Sequence, residues 1–170
     1  TCDQTVKSPG TLVISAYATC PDITKVATPD IKQPGKSKLL FIDLGKGKNR
    51  LGGSALAQVY NQIGDESPDV EDPGLSKRAF NLIQKLISDD LILSGHDRSD
   101  GGLITTLLEM AFAGNCGMEI NISGQRLAVS LQPSEKSMIS FLFSEELGLA
   151  VEYLPKNEKR IISELKKRKV

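Results

Sequence analysis

The stretch Gly95-His96-Asp97-Arg98-Ser99-Asp100-Gly101-Gly102 gathers an imidazole, two carboxylates, a guanidinium and a hydroxyl between glycines. No other segment of the chain is so dense in groups that do chemistry. Asp97 or Asp100 could hold Mg2+, because hard carboxylate oxygens shared with substrate phosphates are the usual magnesium arrangement. The Ser99 hydroxyl, glycines that admit close backbone approach and the start of a following helix suit a phosphate. The same residues have a plainer reading, in which Ser99 or Asp100 caps the helix and Gly101 and Gly102 make the turn. Residue types alone leave both open. His96 is the sole histidine and invites a catalytic role. Neighbours in an extended segment point opposite ways, however, so Asp97 is poorly placed to orient the ring, and a structural hydrogen bond is expected instead. Ser99 has neither a G-x-S-x-G elbow nor a second histidine as base, which makes it a weak nucleophile candidate.

A second glycine-rich loop, Gly45-Lys46-Gly47-Lys48-Asn49-Arg50-Leu51-Gly52-Gly53-Ser54, is basic. It matches neither the P-loop pattern nor G-x-G-x-x-G. Lys46, Lys48 and Arg50 could meet phosphate, but a solvated cluster of cations is the expected explanation. Cys2, Cys20 and Cys116 are odd in number and widely spaced, with one histidine to join them, which excludes a conventional zinc site and a disulfide scaffold. Free thiols in a reducing compartment are expected.

Strands are expected at 12–18, 39–44, 91–94, 117–122, 127–131 and 149–153, and helices at 55–63, from Asp72-Pro73 to Ile87, and at 103–112, 134–143 and 155–169. In the second of these helices Leu75, Ala79, Leu82, Ile83, Leu86 and Ile87 share one face. Pro21, Pro29 and Pro34 make 21–38 a loop or an irregular edge segment. Strand, glycine loop and helix follow one another twice. The interleaved order predicts an α+β fold, a layered α/β sandwich whose mixed β-sheet is covered by helices.

The chain has 170 residues, which suits one domain spanning 1–170. Its 21 basic and 21 acidic residues cancel, so no global field draws in nucleic acid or an anionic membrane. Aromatic residues are 5% and Trp is absent, leaving little for base-stacking platforms. No apolar run approaches a membrane span. Small molecules and protein partners remain. The first residue is not Met, which suggests a piece of something longer.

Arg50-Leu51-Gly52-Gly53-Ser54-Ala55-Leu56-Ala57-Gln58-Val59, Gly95 to Leu103 and Leu108-Glu109-Met110-Ala111-Phe112-Ala113-Gly114 carry a family resemblance. Ser8 to Ser15, Pro21-Asp22-Ile23 and Phe143-Ser144-Glu145-Glu146-Leu147-Gly148 extend it, in the right order, over nearly the whole chain. The sequence resembles the large, glutamine-dependent phosphoribosylformylglycinamidine synthases. Within them it is similar to the second of two domains like the C-terminal domain of aminoimidazole ribonucleotide synthetase. The resemblance implies an ATP-dependent carbon–nitrogen ligase of purine biosynthesis, cytoplasmic or plastidic in a plant. It implies that the fragment is inactive alone, because ATP activation belongs to the first synthetase half and glutamine hydrolysis to a cysteine of a separate glutaminase domain. No thiol role transfers to Cys116. It further implies an auxiliary, largely structural site for Mg2+ and ATP or ADP, with Asp97 as metal ligand and Ser99 on the nucleotide. Other ligands would come from the N-terminal part of the same half. The alternative is a purely structural assembly module, with both loops serving only as turns and an apolar face made for its neighbours.

Overall fold

A computed structural model describes residues 12–20, 22–120 and 135–170, the side chains of 135–137 excepted. Strand β1 (Lys38–Asp43) leads into α1 (Ala55–Val59) and α2 (Pro73–Ser88); β2 (Ser94–Asp97) leads into α3 (Gly102–Ala113); α4 (Glu135–Phe143), β3 (Gly148–Tyr153) and α5 (Glu158–Arg168) complete the order. The strands pair in the order β1-β3-β2. Both flanking strands are antiparallel to β3, with Asp43 opposite Gly148 and Asp97 opposite Leu149. The C-terminal ends of β1 and β2 therefore lie at one edge of the sheet, on either side of the start of β3.

The period of two along β3 separates two apolar layers. Val151 and Tyr153 join Leu82, Leu86, Leu91, Ile92 and Ile161 on one side, where α2 and α5 pack. Ala150 joins Leu103, Leu107 and Met110 of α3 on the other, with Phe41 and Phe141 edge to face at 6.1 Å. In α2, Asp72 accepts from the Leu75 amide at 2.8 Å, Pro73 fills the first turn, and Leu75, Ala79, Leu82 and Leu86 are buried. Ile83 and Ile87, expected on the same face, pack only partly buried at its border.

The α+β layering stands, but each strand pair among the described residues is antiparallel rather than part of a mixed sheet. The strand expected at 91–94 is displaced to 94–97: Leu91 and Ile92 fill the core beneath α2, and the ladder begins afterwards. Helix α1 stops at Val59, short of Gly64, because Asn61 turns left-handed at φ 53°. Residues 12–18 form no strand and have no ladder partner among the described residues. Residues 117–120 are likewise not a strand, and the rest of that expectation and the one at 127–131 lie outside the described residues. The proline-rich stretch is irregular, as expected, yet it is anchored: the Gly95 amide donates to Thr28 O at 3.1 Å, and the Lys32 and Gln33 amides donate to the Glu152 carboxylate at 2.8 and 2.9 Å.

Candidate functional site

The two glycine loops leave the sheet at the shared edge, and the segment Ser144–Leu147 passes between them on its way into β3. Three carboxylates stitch this region. Asp43, at the end of β1, accepts from the Gly45 amide at 3.1 Å and the Gly47 amide at 2.7 Å. Glu145 Oε1 accepts from Ala55 N and from Gly101 N, each at 2.8 Å, joining the starts of α1 and α3. Glu146 is fully buried and takes the Arg50 guanidinium on both oxygens, at 2.6 and 3.0 Å. That bidentate bond raises the Arg50 pKa above the usual guanidinium value.

The basic loop is thus neutralised from within. Lys46 pairs with Asp72 at 3.1 Å, Lys48 with Glu71, and Arg50 with Glu146 and Glu71. The Lys48 contact holds the Glu71 carboxyl below its ordinary range. Where a solvated cluster of cations was expected, Lys46, Lys48 and Arg50 are each paired with a carboxylate.

In the denser loop, Asp97 has a side chain 71% exposed, Ser99 is exposed, and Arg98 between them has a side chain with no exposure at all. Arg98 N donates to Gly148 O at 2.8 Å, which extends the β2–β3 ladder by one residue and sends its side chain inward. There Nε donates to Glu146 O, Nη2 to Leu147 O at 3.2 Å and to Asp43 Oδ1 at 3.1 Å, and the guanidinium carbon sits 4.9 Å from the Phe41 ring centre. Burial pulls the Arg98 pKa below the usual guanidinium value, partly offset by Asp43.

Gly101 and Gly102 make the turn, both at positive φ, and Gly102 N donates to Ser99 O at 3.0 Å. No side chain of Ser99 or Asp100 caps α3; the Glu145 carboxylate takes the Gly101 amide instead. Their lack of side chains serves packing: a Cβ on Gly102 would stand 2.6 Å from Leu142 O, and one on Gly101 would stand 2.3 Å from Thr105 Oγ1. Two backbone amides at the helix start are therefore engaged within the chain.

His96 also departs from expectation. Its Nδ1 lies 2.7 Å from Asp97 O and 3.3 Å from Asp97 Oδ1, and Nε2 lies 3.2 Å from Glu109 Oε2. The adjacent Asp does reach the ring, because the strand ends at Asp97 and its carboxylate folds back. The structural role expected for His96 fits this bridging of strand end and helix. Cys20 and Cys116 are free thiols, and Cys2 lies outside the described residues.

Asp43, Arg98, Glu145 and Glu146 are the organising residues that sequence reading passes over. A usable signal exists for two of them: Asp43 interrupts the apolar run Phe41-Ile42-Asp43-Leu44, and the Glu145-Glu146 pair stands directly before an apolar strand.

Residues 39–170 match the family described as AIR synthase related protein, C-terminal domain. Human phosphoribosylformylglycinamidine synthase is 51% identical over 150 residues, which is 88% of this chain and 10% of that protein. An Arabidopsis thaliana relative, named a probable chloroplastic/mitochondrial phosphoribosylformylglycinamidine synthase, is 49% identical over 96% of this chain and 11% of its own length. The chain thus spans about a tenth of the length of these relatives. T. maritima PurL complexed with FGAR superposes with a TM-score of 0.66 at 18% identity, covering 86% of this chain and 24% of that one. The same protein complexed with ATP gives a TM-score of 0.58 at 17% identity, with 86% and 22% covered. These likenesses show the fold.

Proposed function

Since the chain belongs to the family of AIR synthase related C-terminal domains, we propose that residues 1–170 are one domain of a phosphoribosylformylglycinamidine synthase. That enzyme converts formylglycinamide ribonucleotide, glutamine, ATP and water to formylglycinamidine ribonucleotide, glutamate, ADP and phosphate. In this reading the domain contributes Asp97 and Ser99 to an auxiliary Mg-nucleotide site and has no activity alone. Its partners are the first synthetase half, the N-terminal part of its own half and the glutaminase domain, in the cytoplasm or in an organelle such as the one named for the plant relative.

The observation that carries the reading is the exposure pattern at the end of β2: Asp97 and Ser99 are exposed, while Arg98 between them in sequence is buried. The donor chemistry fits Mg2+, which is held by one or two carboxylates together with water and substrate phosphates. When bound, the ion would screen the nucleotide's phosphate charge. Asp97 supplies a hard oxygen on an exposed strand end, and Ser99 supplies a hydroxyl donor beside it. Among the described residues no group of three His, Cys, Asp or Glu side chains could hold a metal, so Asp97 is read as one ligand of a site shared with the preceding domain. Calorimetric titration with MgADP tests this. Binding is expected to be weak or absent for residues 1–170, tight for the full-length protein, and lost on Asp97→Ala. Tight binding to residues 1–170 that survives Asp97→Ala overturns the reading.

The assembly-module reading has its own support. Leu12, Val13, Ile14 and Tyr17 are 79–94% exposed, apolar side chains with nothing packed over them among the described residues.

A further inference from the structure

We propose that Arg98 is a positioning residue of the nucleotide loop: its buried guanidinium locks Asp97 and Ser99 outward and ties them to the Gly45–Ser54 loop through Asp43. The inference rests on the nucleotide reading above and adds a residue and a second loop to it.

Two separate parts of the chain hold one side chain. The Glu146 and Leu147 carbonyls precede β3, Asp43 ends β1, and Phe41 offers its ring face from within β1. With its own amide on Gly148 O, Arg98 is fixed at backbone and at side-chain tip. A residue so fixed one position past β2 constrains its neighbours, because successive side chains of extended backbone point to opposite sides, and Asp97 and Ser99 are both exposed.

The arrangement is a poor device for stability. A buried cation loses hydration that its partners only partly restore, and apolar residues of similar volume do as well or better. Arg98 Nη1 is buried with no hydrogen-bond partner among the described residues, so the fork is not fully satisfied. What the planar fork supplies is geometry: it addresses carbonyl and carboxylate acceptors in fixed directions, as an ammonium does not. Asp43 spreads the constraint, since the carboxylate that takes Nη2 also holds the Gly45 and Gly47 amides. The basic loop acquires a role without touching phosphate: its Gly45 and Gly47 amides hold the carboxylate that takes Arg98.

The experiment uses the full-length protein, freed of nucleotide, and follows MgADP binding by calorimetry at several Mg2+ concentrations, with the thermal midpoint measured alongside. Asp97→Ala, Arg98→Lys and Arg98→Met are compared with the unaltered protein. Arg98→Lys, which keeps charge and stem but loses the fork, is expected to shift half-maximal Mg2+ upward by about ten- to a hundredfold, the usual effect of losing a residue that orients a metal ligand. Arg98→Met is expected to shift it at least as far, even at temperatures well below its own midpoint. If both variants fold and keep the original Mg2+ dependence while Asp97→Ala loses binding, the positioning role is refuted and the nucleotide reading survives. If Asp97→Ala binds as the unaltered protein does, the nucleotide reading fails and this inference with it. Should Arg98→Met fail to fold, Arg98→Lys alone decides between these outcomes.

Discussion

Glu152 is fully buried and has no cationic partner among the described residues. Its carboxylate accepts from the Lys32 and Gln33 amides, from Ser37 Oγ at 2.6 Å and from Ser94 Oγ at 2.9 Å, and so pins the proline-rich segment to the sheet. Burial pushes its pKa up, but the four donors outweigh that and hold it below the ordinary 4.5. Glu152→Ala leaves four donors without their acceptor, the buried Ser94 hydroxyl among them, and is expected to destabilise the domain by about 3 kcal/mol in urea denaturation. Glu152→Gln, which turns one acceptor into a donor facing donors, should cost roughly 2 kcal/mol at neutral pH. Because the folded pKa is depressed, this stabilisation is complete above the unfolded value of 4.5 and is lost as pH falls through the lower folded value. The gap between Glu152→Gln and the unaltered protein should therefore be constant above that pH and shrink below it. A gap independent of pH down to the acid transition would show that the carboxylate charge is not what the four donors hold.

At the scale of elements, the turn into α3 and the turn into α1 use glycine for different reasons, and substitution separates them. Gly53 has φ +73° with nothing within 4 Å of a Cβ, whereas Gly102 has φ +76° and its Cβ would stand 2.6 Å from Leu142 O and from the Phe143 backbone. Gly53→Ala meets only the left-handed penalty, about 1 kcal/mol, while Gly102→Ala must also move the end of α4 and should cost roughly 3 kcal/mol. Equal losses in thermal or urea unfolding would mean that α4 yields freely at this contact. The end of α4 runs into Glu145, whose carboxylate bridges the first turns of α1 and α3. The glycine loops are consequently two parts of one construction with a shared brace.

For the whole molecule, the exposed run at 12–18 bears on what the domain is built to meet. It has the β-branched pattern of a strand and no ladder partner among the described residues, and the family match begins only at residue 39. An extended segment left unpaired satisfies its backbone from water, while pairing to another sheet would shield it. Under the multidomain reading, amide hydrogen exchange of residues 12–18 should be fast in the 170-residue chain and slower in the full-length protein by on the order of a hundredfold, or about 2.7 kcal/mol. Identical exchange in both would deny this segment a neighbour.

Sequence alone determined the α+β layering, the position and buried face of α2, the presence of helices at 103–112 and near 155–169, found at 102–113 and 158–168, and the density of chemistry at Gly95–Gly102, because periodicity, caps and motif identity are local properties. It could not determine that the strand starts three residues late, since competition between core filling and ladder pairing at Leu91–Asp97 is settled by what packs above. Nor could it reveal that Glu145 caps two helices, that the basic loop is neutralised from within, or that Arg98 points inward. Those contacts join residues 21 to 96 positions apart, and only the antiparallel placement of β3 between β1 and β2 brings them to one edge. Local chemistry names the candidates, and tertiary structure decides which of them face solvent and which hold the others in place.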